Sequence, residues 1–131
     1  MVTKNELLEI SKARLRDSEI LFHSDRYDGA IYLCGYALEI RLKLRICKTL
    51  GWPGYPFTRK EFENFQRFKT HKLDILLKLS GIEDKIKRNF LADWSVAATW
   101  DPEARYKPVG TATQGDALAI IESTRILLRF I

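Results

Sequence analysis

His71 lies in the run RFKTHK, where Arg67, Lys69 and Lys72 surround the one imidazole outside the first twenty-five residues. An imidazole can move protons near neutral pH and a guanidinium can hold phosphate charge, so Arg67, Lys69 and His71 form a candidate phosphate- or RNA-binding cluster. Arg67 and His71 are the only candidates for catalysis within it. They would share a face if the chain stayed helical between them. Thr70, however, has the chemistry of a helix cap, which makes His71 a helix-start residue that packs or hydrogen-bonds locally.

Two other places carry chemistry-bearing side chains. In the stretch from Trp100 to Tyr106, Asp101, Glu103 and Arg105 can form a polar site, with Trp100 and Tyr106 stacking on bases and Arg105 meeting phosphate. The same residues also describe a structural turn, because Asp-Pro initiates turns, Arg105 can pair with a neighbouring acid, and aromatic rings in a small domain fill the core. Glu39 stands in apolar sequence, where an unpaired charge is costly. Its expected partner is Lys43, one turn on, or a basic residue from another helix. No second acid or nucleophile accompanies Glu39 as it would in a general-base site.

Metal chemistry finds little support. Cys34 and Cys47 are expected on one helix, too far apart to bond to each other, and read as buried thiols. Two cysteines and two histidines at unrelated spacings do not make a zinc site, and no cofactor is implied.

Charge is more telling. The net +5 is concentrated: residues 41–72 hold nine Lys or Arg (41, 43, 45, 48, 59, 60, 67, 69, 72) against Glu61 and Glu63, giving +7, whereas residues 1–40 sum to −2 and residues 73–131 to zero. Such clustering is the footprint of a polyanion site, or of a solvated face whose charge serves only solubility or partner docking. Arg41, Arg45, Lys48, Arg67, Lys69 and Lys72 are the candidate nucleic-acid or partner-binding residues.

The elements that must position these groups are helical. Thr3 with Glu6 makes a capping box for a first helix running to about Ser24. Asp25 or Asp28 opens a second, RYDGAIYLCGYALEIRLKLRICK, which is apolar on nearly every face through Leu38, turns basic over its last turns, and ends at about Leu50 before Gly51, Pro53, Gly54 and Pro56. Tyr27, Tyr32 and Tyr36 with Ala30, Gly35 and Ala37 suit either close packing inside one subunit or a dimer seam.

Thr58 with Glu61 predicts a short helix carrying Phe62, Phe65 and Phe68. Thr70 caps HKLDILLKLS, which stops at Gly81, and a further helix is expected from Ile82 to about Trp94, extending toward Trp100. The loop DPEARYKPVGTATQG follows, then a helix capped by Thr113 and Asp116 that reaches Ile131. No strand is predicted. The expected fold is all-α, a single-domain antiparallel up-and-down bundle of four to five helices over residues 1–131, with a long loop before the C-terminal helix. At 46% hydrophobic and 30% charged residues the composition is that of a globular protein. With no bilayer-length apolar run and no signal-peptide core at MVTKNELLEI, a cytoplasmic location and no membrane partner are expected.

Taken in order, ARLRDSEILF, RYDGAIYLCGYALEIRLKLRIC, THKLDILL, WSVAATWDPEARY and an amphipathic C-terminal helix resemble a HEPN domain (higher eukaryotes and prokaryotes nucleotide-binding). The resemblance covers almost the whole chain, and the order of the pieces is more specific than any one of them. It implies a four- to five-helix bundle, commonly a homodimer, found in prokaryotic conflict and toxin–antitoxin systems and often encoded beside a minimal nucleotidyltransferase.

Many members of that family are metal-independent ribonucleases with an Arg, four to six intervening residues and a His late in the bundle. This sequence departs from that pattern, because no histidine follows His71. Arg16 and His23 have suitable spacing but stand at the end of the first helix, and Arg67 and His71 are one residue short. The expectation is therefore a HEPN-like module that binds RNA, nucleotide or a nucleotidyltransferase partner without cleaving. The alternatives are a ribonuclease using a displaced Arg/His pair, and a purely structural dimerising subunit.

Overall fold

Thr3 opens α1 (Lys4–His23) as its sequence predicts, its hydroxyl accepting from the Glu6 amide while the Glu6 carboxylate accepts from the Thr3 amide. In the computed structural model, which describes residues 1–131, five further helices follow: α2 (Tyr27–Leu50), α3 (Leu73–Ser80), α4 (Glu83–Asn89), α5 (Leu91–Ala97) and α6 (Gln114–Phe130). The fold is thus an all-α bundle.

α2 is its axis. Along α2, Ala30, Cys34, Leu38, Leu42, Leu44, Ile46 and Cys47 are buried and belong to one 21-residue core. α1 packs antiparallel against it, and buried Ser11 and Ser18 donate to the carbonyls of Ala37 and Ala30, so small side chains let the two backbones approach.

The helices do not simply alternate in direction. α5 and α6 are antiparallel, with Asp93 meeting Ser123 and Phe90 meeting Phe130. α6 runs parallel to α2, pairing Cys34 with Ile120 and Arg41 with Leu128. α3 also runs parallel to α2, since His71 meets Glu39 and the Thr49 hydroxyl reaches the Ser80 carbonyl. The connection 51–72 makes this possible by carrying the chain back along α2 before α3 begins.

Five local expectations need correction, the first being the Thr70 cap: α3 starts at Leu73 with Lys72 as its N-cap, and Thr70 Oγ1 accepts from the Lys72 amide ahead of the helix, so His71 precedes α3. The single helix from Ile82 breaks at Phe90, which leaves helical geometry (φ −136°, ψ 32°) and stacks on Phe130 with ring centroids 4.4 Å apart, so α4 and α5 replace it. The short helix from Thr58 is a series of turns ending in a 3₁₀ turn at Gln66–Phe68. Phe62, Phe65 and Phe68 recur every third residue, and the amides of Phe65 and Phe68 bond three residues back, so the tighter winding turns all three rings toward Trp52 and Tyr55.

Neither Asp25 nor Asp28 caps α2, whose N-cap is Arg26; the Asp28 carboxylate instead accepts from the Gly110 and Ala112 amides. A two-residue ladder also pairs β1 (Val2–Thr3) antiparallel with β2 (Gly54–Tyr55), too short to leave an alternating pattern in sequence. Glycine is needed at position 54, where a Cβ would sit 2.5 Å from the Val2 carbonyl oxygen.

Candidate functional site

The site begins with Glu39. Its position on α2 buries it, and its Oε1 pairs with His71 Nδ1, with Lys43 Nζ 3.5 Å from the same oxygen. Lys43 comes from one turn along α2, whereas His71 is delivered by the end of the 51–72 connection. With Nδ1 committed to the carboxylate, Nε2 is the nitrogen left for other partners, and the His71 side chain is 62% exposed. A buried acid therefore orients a surface imidazole.

Aromatic rings extend this arrangement. Tyr36 lies edge-on to His71 (centroids 6.5 Å) and to Trp100 (4.9 Å), and its hydroxyl is 3.5 Å from that of Tyr32. Burial, then the Tyr32 hydrogen bond, pushes the Tyr36 phenol up to about 12, while the Arg105 guanidinium acts in the opposite sense. Trp100 is buried, its Nε1 donates to the Tyr32 carbonyl at 3.1 Å, and its ring rests where a Cβ on Gly35 would have to be. That placement leaves Trp100 as support for α2 and closes it to a stacking base.

The other loop candidates point outward. Arg105 donates to the Pro102 carbonyl at 2.9 Å and lies 4.6 Å from the Tyr106 ring centre, and Tyr106 is exposed. Between this loop, α2, α5 and α6 lies a cleft of about 450 Å³, with Asp28, Asp101, Lys107 and Asp116 among its lining groups.

The basic residues divide into two sets. Arg41 donates through Nη1 to the Leu128 carbonyl at 2.8 Å, where it caps the C-terminal end of α6, and burial lowers its pKa. Arg45 is half-buried, and Lys43 serves Glu39. By contrast Lys48, Arg59, Lys60, Arg67, Lys69 and Lys72 are exposed and form no ion pair.

The acid nearest these six in sequence does not neutralise them. Glu61 accepts from the Met1 ammonium at 2.6 Å and from the Phe57 and Thr58 amides, and these donors lower its pKa. Arg67 and His71 are not brought onto one helical face, because Arg67 belongs to the 3₁₀ turn and Lys69 leaves helical geometry (φ −84°, ψ 76°). Sequence reasoning found both Glu39 and His71 but not their pairing, whose only signal was an acid in apolar sequence lacking a second partner.

No cluster of three or more metal-ligating side chains occurs, both cysteines are free and buried, and no helix is long and apolar enough to cross a membrane. Burial pushes the Cys34 thiol up to about 11. Comparison with family models, curated proteins and solved structures finds no match to this chain.

Proposed function

We propose that this protein is a HEPN-like helical module of a prokaryotic conflict or toxin–antitoxin type system that binds RNA through its basic face. One observation carries the reading: six cations from one continuous quarter of the chain are exposed with no acidic partner, while the nearby Glu61 is occupied by amide and ammonium donors. Unpaired surface cations of one sign attract a polyanion and gain by releasing its counterions. Binding of an RNA oligomer that weakens steeply with added salt supports this reading, and salt-independent or absent binding defeats it. The resemblance also carries the expectation of a homodimer and of a minimal nucleotidyltransferase as partner, which sedimentation and co-purification with a neighbouring gene product test.

A second reading, a metal-independent ribonuclease, draws support from the Glu39–His71 geometry rather than from the Arg67–His71 spacing. His71 Nε2 would take the proton of a ribose 2′-hydroxyl, whose oxygen attacks the adjacent phosphorus and expels the 5′-oxygen, itself protonated from solvent. The products are a 2′,3′-cyclic phosphate and a 5′-hydroxyl. Cleavage that persists in chelator and disappears in His71→Ala, with RNA binding retained, distinguishes this reading from binding alone.

A further inference from the structure

Phe57 is 72% exposed although five aromatic residues immediately around it are gathered into a nest. Trp52 packs edge-on against Phe65 (5.1 Å) and tilted against Phe68 (5.0 Å), Tyr55 against Phe62 and Phe68, and the Tyr55 hydroxyl donates to the Phe68 carbonyl at 2.6 Å. Phe57 joins none of these ring pairs. Its backbone is nevertheless fixed, because its amide donates to Glu61 Oε2 at 2.6 Å inside the reciprocal Thr58–Glu61 bonding. An exposed ring on a pinned backbone loses little freedom when something stacks on it.

Phe65, 41% exposed at the edge of the nest, is a second open aromatic. Cations alternate with these rings along the chain. Arg59 and Lys60 follow Phe57 and, with Glu63 and Gln66, line a shallow hollow of about 510 Å³; Arg67 and Lys69 follow Phe65. All four are free of ion pairs.

Resting on the RNA-binding reading, we infer that residues 57–69 form a stacking platform for a single strand of nucleic acid, Phe57 and Phe65 receiving bases while Arg59, Lys60, Arg67 and Lys69 meet the phosphates between them. A ring face serves only a base that has left its own stack, so the platform selects single strands over duplex. Charge alone would not, since a duplex carries the denser phosphate array.

The test compares binding of a labelled oligouridylate of about 12 nucleotides with that of an RNA duplex of equal length, by fluorescence anisotropy across a salt series. The platform predicts tighter binding of the single strand and a loss of about 5- to 150-fold in Phe57→Ala. It also predicts recovery in Phe57→Trp and an unchanged salt slope in both variants. Because the Phe57 ring packs on nothing in the nest, the thermal transition of Phe57→Ala should match that of the parent, which separates lost stacking from lost fold.

Wild-type affinity in Phe57→Ala, or equal or tighter binding of the duplex, overturns the platform and leaves the basic-face reading standing. Absence of salt-dependent binding to either RNA overturns both.

Discussion

The carboxylate of Glu39, buried at the middle of α2, is paired with Nδ1 of His71, 32 positions further along the chain. The pair joins the axis of the bundle to the end of the 51–72 connection and holds an imidazole at the surface beside unpaired cations. His71→Ala removes a mostly exposed side chain, yet it leaves a buried acceptor with Lys43 as its one remaining partner. The expected cost is about 1–3 kcal/mol in denaturant unfolding, well beyond the change of about 0.5 kcal/mol or less usual for an exposed position. A cost within that ordinary surface range would show that the pair does not hold the connection.

Gly35 and Trp100 provide a second check. Alanine is the better helix former by about 1 kcal/mol, so Gly35→Ala would stabilise a helix that was merely exposed there. Here its Cβ collides with the Trp100 ring, and displacing a buried indole that donates to the Tyr32 carbonyl costs about 1–3 kcal/mol by overpacking. Gly35→Ala should show a lower melting temperature together with a shift in tryptophan emission.

Arg41 separates structural from binding charge. In Arg41→Ala the Leu128 carbonyl at the end of α6 loses its donor, and destabilisation by about 1 kcal/mol is expected. The salt dependence of RNA binding should stay as in the parent protein. A flatter salt slope in this variant would place Arg41 on the binding face after all.

Asp28 makes stability depend on acid. Its pKa is lowered first by the Gly110 amide and then by the Ala112 amide, so the carboxylate ionises more readily in the folded than in the unfolded chain. The contribution is therefore complete above the ordinary aspartate pKa of about 3.9 and is lost as pH falls through the lower folded value. Asp28→Ala should unfold at lower urea than the parent near pH 6, with the gap closing as the pH drops well below 4. A gap that stays constant into acid would assign the loss to something other than ionisation.

Several of these features were legible in the sequence. The capping boxes Thr3–Glu6 and Thr113–Asp116 start α1 and α6, and Gly51 and Gly81 stop α2 and α3 in the left-handed conformation that glycine adopts most easily. These signals act over a few residues. The break at Phe90 was hidden because its cause, Phe130, lies on another helix.

The direction of long basic side chains was equally hidden. Arg41 and Lys48 look alike as charges in a helical pattern, yet Arg41 lies on the face of α2 that meets α6 and reaches the Leu128 carbonyl, while Lys48 faces solvent. Lys43 was a visible partner for Glu39 at helical spacing. His71 was not, because only the path of the 51–72 connection brings it back to the middle of α2.

Under the RNA-binding proposal, the unpaired cations of residues 48–72 meet phosphate, and this contact is open to measurement. It is tested most directly by the slope of log affinity against log salt for a single-stranded RNA, measured for the parent protein and for the triple variant Arg67→Gln, Lys69→Gln, Lys72→Gln. Three lost phosphate contacts should flatten the slope by about 2, at roughly 0.7 per contact, and weaken binding most at low salt. An unchanged slope, with the RNA bound equally well by both proteins, would contradict the account.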